Sequence, residues 1–145
     1  MAASTSSISN QPFSFDLLER DGWFYDTEPA CRAVVTMRTM SPEHEKQFFA
    51  MLQYAFYGDS RDLTDEYIFA DFLESYPVEV ADFMLQFRSQ EMRDATQADF
   101  AEAKRIGARG FPTLFLRTGD SYTPLTRGYA KRTHIERVYG VLGGA

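Results

Sequence analysis

Residues 106–116 read Ile-Gly-Ala-Arg-Gly-Phe-Pro-Thr-Leu-Phe-Leu, and this stretch decides the fold. It predicts the end of a helix, a turn with two glycines and an apolar strand that starts at Thr113. Proline cannot donate a hydrogen bond to a strand ladder, so Pro112 belongs at the first residue or the edge of that strand. An X-Pro bond tolerates the cis form, which would free the Phe111 carbonyl and the Thr113 amide for an extended ligand. The residues alone leave cis and trans open.

Helical patterns dominate the chain before this stretch. Apolar side chains recur at the i, i+3, i+4 spacing that places them on one helix face, and they predict five helices over 27–38, 41–58, 64–77, 80–87 and 89–106. Asp26 or Thr27, Ser41 and Thr64 are expected to cap the first three, and Gly107 to end the fifth. The second helix is expected to hold one apolar side made of Phe48, Phe49, Leu52, Ala55 and Phe56.

A β-hairpin and one more helix are predicted to close the chain. Strands at 113–116 and 123–126 flank a turn at 118–121, and the last helix places Ile135, Val138, Tyr139 and Leu142 on one face. Two strands alone are marginal in water, so a neighbouring element or a second copy of the chain in a homodimer is expected to shelter them. The predicted class is α/β, with a disordered tail at 1–11, a helical region at 12–107 and a β-β-α part at 108–145.

Composition narrows the classes of partner. Residues 1–103 hold seven Lys and Arg against nineteen Asp and Glu, whereas residues 104–145 hold eight against two. The basic segment has no interleaved aromatic stripe, so no nucleic-acid partner is predicted. No apolar run approaches the roughly 20 residues that cross a bilayer, and the first residues lack a secretory pattern, so no membrane partner is predicted. The single cysteine fits a reducing compartment, and a cytoplasmic location is expected.

Metal and cofactor motifs are not found in the sequence. His44 and His134 are isolated from other ligand-type residues at metal-binding spacing. The acidic loop at 59–66 places Arg61 and Leu63 where a calcium loop needs oxygen ligands. No phosphate-binding glycine motif is present. No metal and no cofactor are therefore predicted, and glutathione alone is left open.

Three further segments carry a family resemblance. Residues 25–33 read Tyr-Asp-Thr-Glu-Pro-Ala-Cys-Arg-Ala, residues 53–57 read Gln-Tyr-Ala-Phe-Tyr, and Asp99-Phe100 follow. Together with Phe-Pro-Thr at 111–113, they resemble the DsbA-like thioredoxin-fold family, in its cytoplasmic FrnE-like disulfide isomerase branch. The resemblance covers about residues 12–142. It implies an incomplete thioredoxin-like fold, thiol–disulfide exchange as the family activity, and Phe111, Pro112 and Thr113 as the residues that hold the substrate.

The chain departs from that family at the catalytic step. Members carry a Cys-x-x-Cys pair at a helix N-terminus after a first strand, and Cys31 is the only cysteine here. Exchange needs an attacking thiolate and a resolving thiol, which one cysteine cannot supply. Cys31 is interpreted mainly as a core residue, with a reactive thiol that forms mixed disulfides as the alternative. No catalytic residue is predicted, and the chain is either a truncated reading frame or a functional short form.

Three functions follow from these residues. The first is a protein of the disulfide oxidoreductase or isomerase family, inactive as this chain, with a protein or peptide thiol or disulfide as its substrate. The second is a non-catalytic module that binds a partner's extended strand at the sheet edge. The third is a protein similar to the kappa-type transferases and hydroxychromene carboxylate isomerases, which bind glutathione at the same proline loop.

Overall fold

The computed structural model describes residues 12–143. Its elements are α1 (Glu28–Met40), a 3-10 turn (Pro42–His44), α2 (Glu45–Tyr57), α3 (Ile68–Leu73), α4 (Val80–Phe87), α5 (Gln90–Arg105), β1 (Thr113–Thr118), β2 (Ser121–Arg127) and α6 (Arg132–Gly143). They divide into a helical unit that runs to Gln97 and a hairpin unit that starts at Ala98. The predicted α/β class, with five helices before a hairpin and one after it, is confirmed. The predicted tail at 1–11 lies outside the described residues, and the predicted domain limits stay a prediction.

The helical unit is built around a core of aromatic and aliphatic side chains. Helix α1 packs on both α2 and α4, and α3 packs on α4. Burying a Phe or Leu side chain stabilises a fold by about 1.5–3 kcal/mol, so this set carries most of the unit's stability. The fully or almost fully buried members are Ala33, Met37, Phe48, Leu52, Phe69, Leu73, Phe83 and Phe87.

Three details of the sequence-based prediction are wrong. Phe49 is half exposed, so the buried side of α2 is narrower than its apolar pattern suggests. Ser41 donates no capping bond, since its hydroxyl pairs with the His44 ring at 2.8 Å and the segment starts as a 3-10 turn. Thr64 caps nothing, because its amide and hydroxyl both bond to the Asp62 carboxylate, and this local turn delays α3 to Ile68.

A buried arginine links α1 to α4. Arg32 is only 6% exposed, its guanidinium lies 4.2 Å from the centroid of the Phe87 ring, and its Nη1 donates to the Phe87 carbonyl oxygen at 3.3 Å. Its Nε atom lies 3.1 Å from Oε1 of Glu28 without the alignment of a hydrogen bond, so this contact is Coulombic. Burial lowers the pKa of Arg32, and the Glu28 carboxylate acts in the opposite direction.

The hairpin unit is an antiparallel pair of strands with a helix end near each face. Strand β1 pairs with β2 from Thr113 opposite Arg127 to Thr118 opposite Ser121, with an irregularity between Leu114 and Phe115. On one face the centre of the Tyr122 ring lies 6.4 Å from that of Phe115 and 6.0 Å from Cζ of Arg105, at the end of α5. On the other face Leu116 lies beside Gly143, at the end of α6. Within residues 12–143, β1 has a strand partner on one edge only.

No helix in the described part of the chain has the length and apolar character to cross a membrane.

Candidate functional site

The loop before β1 is positioned by the end of α5. Gly107 has φ of +93°, a left-handed conformation that favours glycine, and its amide donates to the Lys104 carbonyl at 3.1 Å. The Ala108 amide donates to the Ala103 carbonyl at 2.9 Å, so two carbonyls at the helix end are satisfied as in a Schellman turn. The chain therefore leaves α5 abruptly and enters the loop that precedes β1.

The proline loop, residues 110–113, is held by two hydrogen bonds. The Gly128 amide donates to the Pro112 carbonyl at 2.8 Å, and the Thr113 hydroxyl donates to the Gly110 carbonyl at 2.5 Å. The bond between Phe111 and Pro112 is cis, which answers the point that the sequence left open. The Phe111 side chain is 87% exposed.

The strand register leaves the backbone of Thr113 available. The bond from Gly128 to Pro112 makes these two residues a hydrogen-bonded pair, so the next pair along, Thr113 and Arg127, is a non-hydrogen-bonded one. The N–H and C=O of Thr113 therefore face away from β2, toward the open edge of β1. An extended peptide at that edge would meet one donor and one acceptor at Thr113.

A cavity of about 270 Å³ lies at the proline loop. Its surface is mostly apolar, and the residues that line it are Arg109, Gly110, Phe111, Thr113, Arg127 and Gly128. The sequence predicted Phe111, Pro112 and Thr113 as site residues; Phe111 and Thr113 line this cavity, Pro112 does not, and Arg109 and Arg127 were not predicted. Arg127 was missed because β2 was predicted to end at Thr126; the irregularity between Leu114 and Phe115 adds one residue to β2 and brings Arg127 opposite Thr113.

Cys31 lies in the helical unit, so the structure does not bring it into the same unit as the proline loop. It occupies the first turn of α1, where its amide donates to the Thr27 carbonyl at 3.0 Å, and it is half-buried. Partial burial raises the pKa of Tyr25 well above its usual range, and a hydrogen bond with Tyr57 and the nearby Cys31 add to the increase. The thiol thus has an aromatic neighbour.

The two histidines make local contacts. The His44 ring pairs with Ser41, and Nδ1 of His134 lies 3.1 Å from Arg137. Among the described residues, no group of three or more His, Cys, Asp or Glu side chains is arranged to hold a metal ion.

Solved structures of similar fold include the following two. The crystal structure of a "putative protein disulfide isomerase" from Nitrosomonas europaea matches with a TM-score of 0.87 and 31% identity, over 96% of this chain and 68% of that one. The cytosolic disulfide reductase DsbM from Pseudomonas aeruginosa, solved with GSH, matches with a TM-score of 0.69 and 20% identity, over 83% of this chain and 61% of that one. No protein-family model and no curated protein sequence matches the chain.

Proposed function

The chain belongs to the DsbA-like thioredoxin-fold family, and on that premise we propose that it binds the sulfur-bearing segment of a peptide for thiol–disulfide exchange. Phe111, Pro112 and Thr113 hold the segment in an extended conformation along the open edge of β1. A protein thiol or disulfide is the proposed substrate, and the cytoplasm is the proposed compartment.

The unpaired backbone of Thr113 is the observation that carries this proposal. Its N–H and C=O face the open edge of β1, while the Pro112 carbonyl is already bonded to Gly128. Strand addition uses main-chain groups of this kind for affinity. The exposed ring of Phe111 adds apolar area beside them. The loop therefore supports an extended peptide without having to break its own bonds.

We further propose that these 145 residues do not complete the exchange. A thiolate attacks one sulfur of a disulfide, forms a mixed disulfide and releases the other sulfur as a thiolate; a second thiol must then resolve the mixed species. Cys31 is the only cysteine, so it can form a mixed disulfide but has no resolving partner within the chain. Insulin reduction should proceed at the rate of the reductant alone. A faster rate that Cys31→Ser abolishes would contradict this.

Peptide binding is tested with a fluorescein-labelled nine-residue peptide that has S-methylcysteine at its centre and neutral polar residues around it. Fluorescence anisotropy with the full chain should show saturable binding. Thr113→Pro removes the N–H that faces the open edge and no ladder bond, so it should abolish binding while the hairpin amide resonances persist. Thr113→Val is the control that keeps the N–H. Undiminished binding by Thr113→Pro, or no saturation with the original chain, would overturn the proposal.

A non-catalytic strand-binding module is the second candidate, favoured by the edge of β1 that has no strand partner among the described residues. The two functions differ in what they require of the peptide. A module that reads only the backbone should bind the same peptide equally well with Ser in place of S-methylcysteine. A clear preference for the sulfur-bearing peptide excludes it.

Glutathione is proposed as an alternative small ligand of the same loop, with support from the related fold solved with GSH. A calorimetric titration of the full chain with S-methylglutathione should saturate if the loop accepts it. A flat titration would count against a glutathione-dependent isomerase or transferase.

A further inference from the structure

Two arginines border the cavity at the proline loop, and neither charge is neutralised by another described residue. Arg109 and Arg127 both line it, and both side chains are exposed. Neither makes an ion pair or a side-chain hydrogen bond with another residue in the described part of the chain. The cavity is otherwise lined by the Phe111 side chain, Thr113 and two glycines.

The other arginines of the hairpin unit all have a partner. Arg105 and Arg132 pair with Glu102 and Glu136, each at 2.6 Å. Arg117 donates from Nε to the Gly119 carbonyl at 2.9 Å, and Nη2 of Arg137 lies 3.1 Å from the His134 ring. Unpartnered guanidinium groups thus occur only at the cavity among the six arginines of the hairpin unit's described residues.

The strand register places Arg127 opposite Thr113, the residue whose backbone is proposed to bind the peptide. Arg127 is the cross-strand partner of Thr113, and Cα atoms in a non-hydrogen-bonded pair lie about 4.5 Å apart. Side chains of such a pair share a face of the sheet. Arg109 precedes the proline loop in the sequence and lines the same cavity. A peptide added at the open edge of β1 would be separated from Arg127 by β1, but the long Arg127 side chain lies on the Thr113 face and can extend across β1 toward the peptide.

We propose that Arg109 and Arg127 select peptides that carry a carboxylate next to the sulfur-bearing residue, an inference that rests on the proposed function. Guanidinium groups bind carboxylates through paired, charge-assisted hydrogen bonds, which favours an acidic side chain or a terminal carboxylate here. The same chemistry is present in an acidic protein segment and in glutathione, whose two carboxylates flank its thiol.

The test compares two labelled peptides on the full chain by fluorescence anisotropy. One is the neutral S-methylcysteine peptide with Gln on both sides of the central residue, and the other has Glu at those two positions. The Glu peptide should bind about fivefold more tightly at low salt, as two exposed ion pairs would give. The preference should vanish in about 1 M salt, where screening acts within about 3 Å.

Variants assign the preference to these two residues. The double variant Arg109→Gln, Arg127→Gln should lose the preference for the Glu peptide over the neutral peptide. Arg117→Gln is the matched control, since this exposed arginine lies in the same strand about 13 Å from Thr113, and it should keep the preference. Titration with S-methylglutathione forms a second arm. If the double variant loses its affinity for S-methylglutathione, the small thiol is a source of the carboxylate. If the double variant loses affinity for the Glu peptide only, the source is an acidic protein segment.

The outcomes separate the two proposals. If neither peptide binds, the proposed function fails and the selection by charge fails with it. If both bind equally at low salt, or if the double variant keeps the preference, the carboxylate selection is overturned and the peptide-binding function stands.

Discussion

The helical unit and the hairpin unit use their apolar side chains in opposite ways. The helical unit encloses Phe48, Phe69, Phe83 and Phe87, all with no exposed surface. In the hairpin unit Leu125, at 9% exposure, is the only buried hydrophobic residue among those described, while Phe111 and Val141 are largely exposed. The first region is a self-contained core. The second leaves one edge of β1 without a strand partner among the described residues and keeps much of its apolar surface on the outside.

Deleting a phenyl ring in each region gives the largest expected difference. Phe83→Ala leaves a cavity in the closed core and should lower the free energy of unfolding by about 3–5 kcal/mol. Phe111→Ala removes a ring that is already in solvent and should change the free energy of unfolding by less than about 0.5 kcal/mol. Urea titrations measure the free energy of unfolding. Fluorescence of Trp23, which lies in the helical unit, follows the unfolding of Phe83→Ala, and far-UV circular dichroism follows the unfolding of both variants. Equal losses in the two variants would contradict the comparison.

The same contrast holds for two Glu–Arg pairs with i, i+4 spacing. In Glu28–Arg32 the arginine side chain is 7% exposed, whereas in Arg132–Glu136 the two side chains are 90% and 56% exposed. Glu28→Gln leaves a buried guanidinium without its counter-ion and should destabilise the helical unit by about 2 kcal/mol, less than a fully buried pair would because Glu28 is partly in water. Glu136→Gln should have no measurable effect. Urea unfolding of both variants checks this. If Glu28→Gln leaves the free energy of unfolding unchanged, Arg32 is held by Phe87 alone.

Two glycines near the cavity test how firmly the hairpin unit fixes its loop. Gly128 has φ of +84°, and a Cβ added there would meet no atom within 4 Å, so any cost of Gly128→Ala is conformational. That cost should be about 1–2 kcal/mol. Gly110 has equally open space without a positive φ, so Gly110→Ala is the matched control and should be close to neutral. Amide hydrogen exchange in β1 reports the local stability. Equal protection in Gly128→Ala and Gly110→Ala would show that the positive φ of Gly128 carries no conformational cost.

Local patterns in the sequence were sufficient for the elements but not for the details of the site. The apolar spacing located all five helices before the hairpin, and Gly107 and Pro112 marked the turn into β1, because such signals act within a few residues. The capping predictions for Ser41 and Thr64 were wrong because each hydroxyl bonds to a side chain and not to a helix amide. Arg127 escaped because its position opposite Thr113 depends on the register of two strands, which an irregularity at Leu114 shifts by one residue.

The smallest expected effect concerns α6, where the exposed apolar surface of the hairpin unit can be tested for a partner. Val141 is 81% exposed, so Val141→Ser should change the free energy of unfolding by less than about 0.5 kcal/mol. If a second copy of the chain covers this surface in a homodimer, the substitution should instead raise the dissociation constant measured by sedimentation velocity. Leu85, 71% exposed on α4, provides the control Leu85→Ser in the helical unit. A chain that sediments as a monomer at every concentration, with or without Val141→Ser, excludes self-association and leaves the edge of β1 to a different partner.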